Sequence, residues 1–381
     1  MQRVFHFIPF FLINLVCSAQ VYDYSIGQQL EKIDSVQQYL QTYEDFGYKH
    51  SGSNALNNAR DWIVSKYSSF GYTGITLDSF TYSGDELQNI IIEKPGLQSD
   101  HWIVIGAHYD SYLNSPGAND NGSGVVACLQ IAKIMQSIQT QVGIRFIHFS
   151  AEEDGLVGSQ HYVDNSMNPN DVIELVLNLD QLGGTAGSNN ATIVCERDED
   201  MNPSFNNAMS SLKTDTLAQL ARIYGQLNTI ISNAYGSDYM PFQDSGFVIT
   251  GLFQESSYPF YHDPNDKVIN MDVGATQKVI QAALAAAMYF SRNTLPLSVE
   301  VPSNQMVFYP NPAEGSIQFI DDIGGNFKVN IYNTLGELVL TESLHNGGKL
   351  GLHLLTNGSY SVRIITSDGA RIIYSKLIIA R

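Results

Sequence analysis

The sequence predicts an α/β fold: a three-layer sandwich with a mostly parallel central sheet, followed by a small all-β sandwich domain. Three observations predict it. Apolar strand runs alternate with helical patterns through the first 290 or so residues, as expected for strands buried on both faces and joined by crossover helices. A stretch carrying Pro296 and Pro302 then interrupts the pattern. Beyond it come short strand candidates divided by Asn- and Gly-bearing turns.

Taken in order, the chain opens on Met-Gln-Arg, an apolar run over 4–16 and the small-residue stretch Cys17-Ser18-Ala19. This reads as a secretory signal peptide over 1–19, because the run is shorter than the roughly 20 residues a spanning helix needs. Helical spacing follows, with Leu30, Ile33, Val36 and Leu40 on one face and a second stretch over 54–67. Strands are expected at 88–93, 102–107, 144–149, 173–179, 191–194 and 247–253. Helices are expected at 124–135, 156–163, 214–227 and 276–290. Together these make one domain over 20–294, with a linker at 295–306. The segment 307–381 holds strand candidates at 307–310, 316–319, 329–332, 337–341, 359–365 and 371–379, with turns at 333–336, 357–358 and 367–369.

The chain has 381 residues and a formal net charge of -18. Such a surface repels nucleic-acid backbones, so no nucleic-acid partner is expected. Cys17 lies in the leader. Cys128 and Cys195 lie in apolar stretches without CxxC spacing and are expected to be buried thiols.

Five stations of acidic and imidazole residues punctuate the larger domain. His108 ends the run Ile103-Val104-Ile105-Gly106-Ala107, with Asp110 two residues on. In open α/β sheets ligands bind beyond the carboxyl ends of strands, and a carboxylate near a His can fix its tautomer. By itself His-x-Asp also suits a hydrogen-bonded structural histidine. Asp120 sits in a Gly-rich turn before a helix, either as an N-cap or as a metal-bridging carboxylate. Glu152-Glu153-Asp154 follows a third apolar run. It is either a solvated acidic loop or a division of labour in which one carboxylate binds metal and its neighbour carries a proton. Asp180 ends another strand, and His262 lies in a loop after the last one. The mixture of oxygen and nitrogen donors suits zinc. His50, His101, His148, His161, His345 and His353 fit no such pattern.

The ordered set His108-x-Asp110, 117–124, Glu152-Glu153-x-Gly155-x-x-Gly158-Ser159, Asn178-Leu179-Asp180, Ser237-Asp238-x-x-Pro241-Phe242 and Tyr261-His262-x-x-x-Asp266 resembles the M28 zinc peptidases. That family includes bacterial leucyl-type aminopeptidases, and the resemblance covers roughly 28–292. It implies two zinc ions bridged by Asp120. His108 and Asp180 complete one shell, and Glu153 and His262 the other. Glu152 would be the general base, with Asp110 behind His108. Where the family often has His after the Ser-Asp pair, this chain has Tyr239. Tyr235 and Tyr239 are both candidates for oxyanion or substrate contacts. The implied substrates are peptides or proteins with a free N-terminus, and an aromatic-rich pocket would suit apolar first residues. A glutaminyl cyclase on the same scaffold would favour one zinc, and a non-catalytic binding module would be expected to have lost ligands.

The tail, with Tyr309-Pro310-Asn311-Pro312-Ala313, 329–337, Leu355-x-Asn357-Gly358-x-Tyr360 and Lys376-Leu377-Ile378-Ile379, resembles the type IX secretion sorting domain of Bacteroidetes. An ordinary substrate-binding β-domain is the alternative. The resemblance implies a partner in the type IX secretion machinery. It also implies export through the periplasm to the extracellular space or cell surface. No stretch beyond the leader is long and apolar enough to span a bilayer, so no transmembrane segment is expected in the mature protein.

Overall fold

The computed structural model describes residues 23–199, 201–292, 308–320, 325–333, 338–366 and 372–381. The expected signal peptide and linker lie outside the described residues, as do most of the expected turns at 333–336 and 367–369. The described residues form two units, 23–292 and 308–381.

The larger unit begins with three helices, α1 (Tyr24–Leu30), α2 (Val36–Asp45) and α3 (Asn54–Phe70). Ser53 caps α3 by accepting the Leu56 amide, and Gly71 ends it at φ 96°. The chain continues through β1 (Ile75–Tyr82), β2 (Asp85–Lys94), β3 (Gln98–His108), α4 (Gly122–Met135) and β4 (Val142–Phe149). Next come α5 (Val157–His161), a single π-turn (Tyr162–Ser166), β5 (Val172–Leu179), β6 (Thr192–Arg197), α6 (Asn207–Tyr224) and β7 (Asn228–Asn233). The short α7 (Met240–Asp244), β8 (Ile249–Gln254), a 3-10 turn (Val268–Asn270) and α8 (Val273–Phe290) complete it.

Eight strands form one sheet in the order β1-β2-β4-β3-β5-β8-β6-β7. The central pairs β4/β3, β3/β5 and β5/β8 are parallel, as is β6/β7. The pairs β1/β2, β2/β4 and β6/β8 are antiparallel. Every residue of β4 is buried, which is why its sequence is a continuous run rather than an alternation. Helix α4 is buried at all positions except Lys133. It packs against β3 and against the Ala-rich α8, whose small side chains permit close approach.

Register sets the site. His108 lies opposite Phe149 across β3/β4, and Gly106 opposite Asn178 across β3/β5. The residues that follow these three strands therefore leave the sheet along one edge.

The smaller unit holds β9 (Phe308–Tyr309), β10 (Ser316–Phe319), β11 (Asn326–Tyr332), β12 (Leu338–His345), β13 (Lys349–Gly351), β14 (Gly358–Thr366) and β15 (Ile372–Ile379). They make two antiparallel sheets, β13-β10-β9 and β12-β11-β14-β15. Phe308, Ile317, Phe319 and Leu350 from one sheet meet Phe327, Val329, Ile331 and Val362 from the other in a shared core. Strands β1, β7 and β13 and helix α7 are additions to the elements expected from sequence. Cys128 and Cys195 are buried free thiols, and among the described residues no helix is long and apolar enough to cross a membrane.

Candidate metal centre

The five stations arrive at one place. His108 Nε2 lies 3.4 Å from Asp120 Oδ1 and 3.6 Å from Asp180 Oδ1. On the other side of Asp120, His262 Nε2 is 3.5 Å from its Oδ2 and 2.9 Å from Glu153 Oε2. Asp120 thus stands between two imidazoles with one oxygen toward each. Donor atoms of His108, Glu152 and Asp180 lie within 4.8 Å of one another, and so do those of Asp120, Glu153 and His262.

Each side chain is held by local structure. Asp110 Oδ1 and Oδ2 accept the amides of Glu152 and Glu153 at 3.2 and 3.1 Å, and Oδ1 stands 3.5 Å from His108 Nδ1. One carboxylate therefore ties the end of β3 to the acidic turn after β4. The N-cap of α4 is Asn121, whose Oδ1 accepts the Gly124 amide, so capping does not occupy Asp120. Asp266 accepts the amides of Asn119 and Asp120 at 2.8 and 3.0 Å and the Tyr258 hydroxyl at 2.9 Å. Ser237 Oγ donates to Asp180 Oδ2 at 2.7 Å and accepts from Asn178. His262 adopts φ 55°. Its ring is stacked between Tyr112 at 4.0 Å and Tyr261 at 3.7 Å.

The electrostatics are those of a site short of positive charge. Burial pushes Asp120 up to about 7, with Glu153 and Asp180 adding to the rise and His108 opposing it. Burial also raises Glu152 well above the carboxylate range, aided by Asp238 and Asp180. Asp238 and Asp266 are pushed up to about 7 by burial as well. Burial would lower His108, but the neighbouring carboxylates of Glu152, Asp110, Asp120 and Asp180 raise it well above its usual value. Asp120 Oδ2, Glu153 Oε1 and Asp180 Oδ1 are buried without a hydrogen bond. Orphaned carboxylate oxygens beside imidazole nitrogens are costly unless a cation completes them, and this donor set fits zinc.

Beside Asp180 opens a cavity of about 420 Å³, lined among others by Glu196, Tyr235, Tyr239, Phe253 and Glu255. Tyr235 is exposed at its rim. Tyr239 is buried, and its hydroxyl donates to Glu196 Oε2 at 2.8 Å while accepting the Tyr235 amide at 3.0 Å. Of the other histidines, His148 bonds Tyr67, His161 lies by Asp78 and His101 by Glu174. Sequence reasoning quoted Ser237, Asp238 and Asp266 within motifs but gave them no role, and it missed Tyr112 and Glu196. The offset from His262 to Asp266 was the one available signal.

Comparison with known proteins follows the same division of the chain. The model of peptidase family M28 matches residues 89–287, and that of the secretion system C-terminal sorting domain matches 307–380. The aminopeptidase YwaD of Bacillus subtilis is 32% identical over 219 residues, covering 55% of this chain and 46% of that relative. The chain thus spans less than half of that relative's length. LapB of Legionella pneumophila aligns with a TM-score of 0.63 at 23% identity, over 71% of this chain and 76% of that one. A glutaminyl cyclase of Bacteroides thetaiotaomicron aligns with a TM-score of 0.56 at 21% identity, over 67% and 97%. At these identities the two structures speak for the fold.

Proposed function

Since the chain belongs to peptidase family M28, we propose that it is a secreted metalloaminopeptidase that uses two zinc ions to remove N-terminal residues from peptides. The observation that carries this reading is Asp120, whose two oxygens face imidazoles from opposite ends of the motif set. One zinc would be held by His108 and Asp180, the other by Glu153 and His262, with Asp120 shared. Bound there, zinc supplies Lewis acidity toward the scissile carbonyl and makes water nucleophilic near neutral pH.

The chain's own residues do the rest. Glu152 takes the proton from the attacking water and returns it to the leaving amine nitrogen. Its carboxylate stands 3.9 Å from His108 Nε2, at the edge of the donor set, where a proton carrier can reach a water held by the cluster. Asp110 fixes Glu152 and Glu153 through their amides, and Ser237 orients Asp180. Tyr235 and Tyr239 border the space beside Asp180, where a substrate carbonyl or side chain would lie. The secretion system match at 307–380 supports export by the type IX machinery, with a signal peptide at 1–19 and a linker at 295–306.

Aminoacyl-nitroanilide hydrolysis with and without a chelator, alongside metal counting, tests the reading. Two zinc ions per chain and chelator-sensitive release of the anilide are expected. One zinc with cyclisation of N-terminal glutamine would instead support the cyclase alternative. Glu152→Gln should lower kcat by about 10²–10⁴-fold with zinc content unchanged. Near-normal turnover in that variant would contradict the proton-carrier role, and loss of zinc would make Glu152 a ligand.

A further inference from the structure

The cavity beside Asp180 is rich in aromatic side chains and is also acidic. Its wall carries the rings of Tyr235 and Phe253, whose centroids lie 6.4 Å apart. Three carboxylates, Asp180, Glu196 and Glu255, also line it, and no lysine or arginine does. Asp180 belongs to the metal cluster and Glu255 is exposed. Glu196 is different. It sits near the end of β6, 3% exposed, and no ion pair to it exists among the described residues. Among the described residues its carboxyl group has one hydrogen-bond partner, the Tyr239 hydroxyl, at 2.8 Å on Oε2.

With no counter-ion beside it, burial pushes Glu196 up to about 8, and Asp180 adds to the rise. If bracing Tyr239 were its whole task, an amide would serve; a carboxyl group adds the capacity to ionise when a cation enters. The chain supplies the parts of a cation subsite: a buried carboxyl group that can ionise opposite a cation, a hydroxyl that holds it in place, and aromatic rings along the approach. An aliphatic stem can lie against such rings while a charged tip passes over their faces.

We propose that this cavity receives the side chain of the substrate's first residue and selects lysine or arginine there, with the Glu196 carboxylate as counter-charge. The inference rests on the aminopeptidase reading above and deepens it. Glu196 acts here as a specificity residue; it stands apart from the proton transfer assigned to Glu152.

The test uses the full-length, zinc-loaded protein and the p-nitroanilides of lysine, arginine, leucine and phenylalanine. Lysine and arginine substrates should exceed leucine and phenylalanine in kcat/KM by tenfold or more. In Glu196→Gln, the lysine-to-leucine ratio should fall by at least tenfold, chiefly through KM for the cationic substrate. A ratio within one variant is insensitive to the fraction of protein that folds. On the wild type alone, free L-lysine and L-arginine should inhibit leucine-anilide hydrolysis at lower concentration than L-norleucine. A wild type that prefers leucine, a ratio that Glu196→Gln leaves unchanged, or stronger inhibition by norleucine would each overturn the proposal while leaving the aminopeptidase reading intact. Failure to cleave any of the four anilides would overturn both.

Discussion

Asp266 shows how one residue outside the donor set can govern it. Its carboxylate accepts two consecutive amides, those of Asn119 and Asp120, and the Tyr258 hydroxyl. Removing those acceptors frees the turn that aims Asp120 at both imidazoles. Asp266→Ala should therefore weaken zinc binding by about 10–100-fold, the usual cost of losing an outer-shell partner, as read by chelator competition. Asp266→Asn keeps one oxygen acceptor and should fall between. Equal zinc affinity in Asp266→Ala and wild type would show that the turn holds its shape without this contact. The five stations were legible in the sequence because each ends an apolar run or sits in a Gly-rich turn, and strand ends on one sheet edge must converge. Asp266 was less legible because its partner Asn119 lies 147 positions away. Tyr112 and Glu196 left no local pattern either: an aromatic in a loop and an acid near the end of a short strand look ordinary until folding brings His262 and the cavity to them.

At the scale of elements, the strands read correctly were those in the middle of the sheet. Two tests probe how that centre is packed. Gly124 in the first turn of α4 has no room for a side chain: a Cβ there would meet the Leu179 carbonyl oxygen at 2.2 Å and Asn121 Oδ1 at 2.5 Å. Gly124→Ala must push α4 away from the end of β5, costing about 1–3 kcal/mol and separating Asp120 from Asp180. Both tryptophans, Trp62 and Trp102, lie in the larger unit, so fluorescence-monitored urea unfolding reports its stability directly. An unchanged urea midpoint would mean the two elements can slide apart freely. On β4, His148 is buried with Nε2 2.9 Å from the Tyr67 hydroxyl, and burial pulls its pKa down to about 3. The folded chain keeps it neutral, while the unfolded chain protonates it below about 6.5. Its contribution to stability is therefore complete above 6.5 and is lost progressively as pH falls toward 3. His148→Asn, which cannot titrate, should reduce the loss of unfolding free energy between pH 7 and pH 5 by about 2 kcal/mol relative to wild type. An identical pH slope in the two proteins would assign the acid sensitivity to other groups. The strands that the sequence hid are edges. β1 and β7 close the two ends of the sheet, β1 has a single buried residue and β7 has none. Neither carries the continuous apolar run by which a doubly covered strand announces itself.

For the whole molecule, the question is whether catalysis and export are separable. Each unit closes its own core. The apolar cluster of the smaller unit begins at Phe308 and ends at Ile379, and all the residues around the candidate metal centre lie between Asp110 or earlier and Asp266. Helix α4 packs on β3, β4 and β5, whose ends carry much of the site, and is itself backed by α8, which ends at Phe290. A chain ending at residue 294 retains every one of those elements. It should hydrolyse aminoacyl anilides with kcat/KM within about twofold of the full chain, since a domain with its own core folds alone. The same truncation should leave the enzyme inside the producing cell, because the segment matched to the secretion system sorting domain, 307–380, is gone. Activity assays on the purified truncation and on culture fractions of the producing strain measure the two effects separately. Export that survives the truncation would remove the sorting role from the tail. Loss of hydrolysis with zinc still bound would give the tail a part in substrate binding, the alternative its β-rich sequence left open.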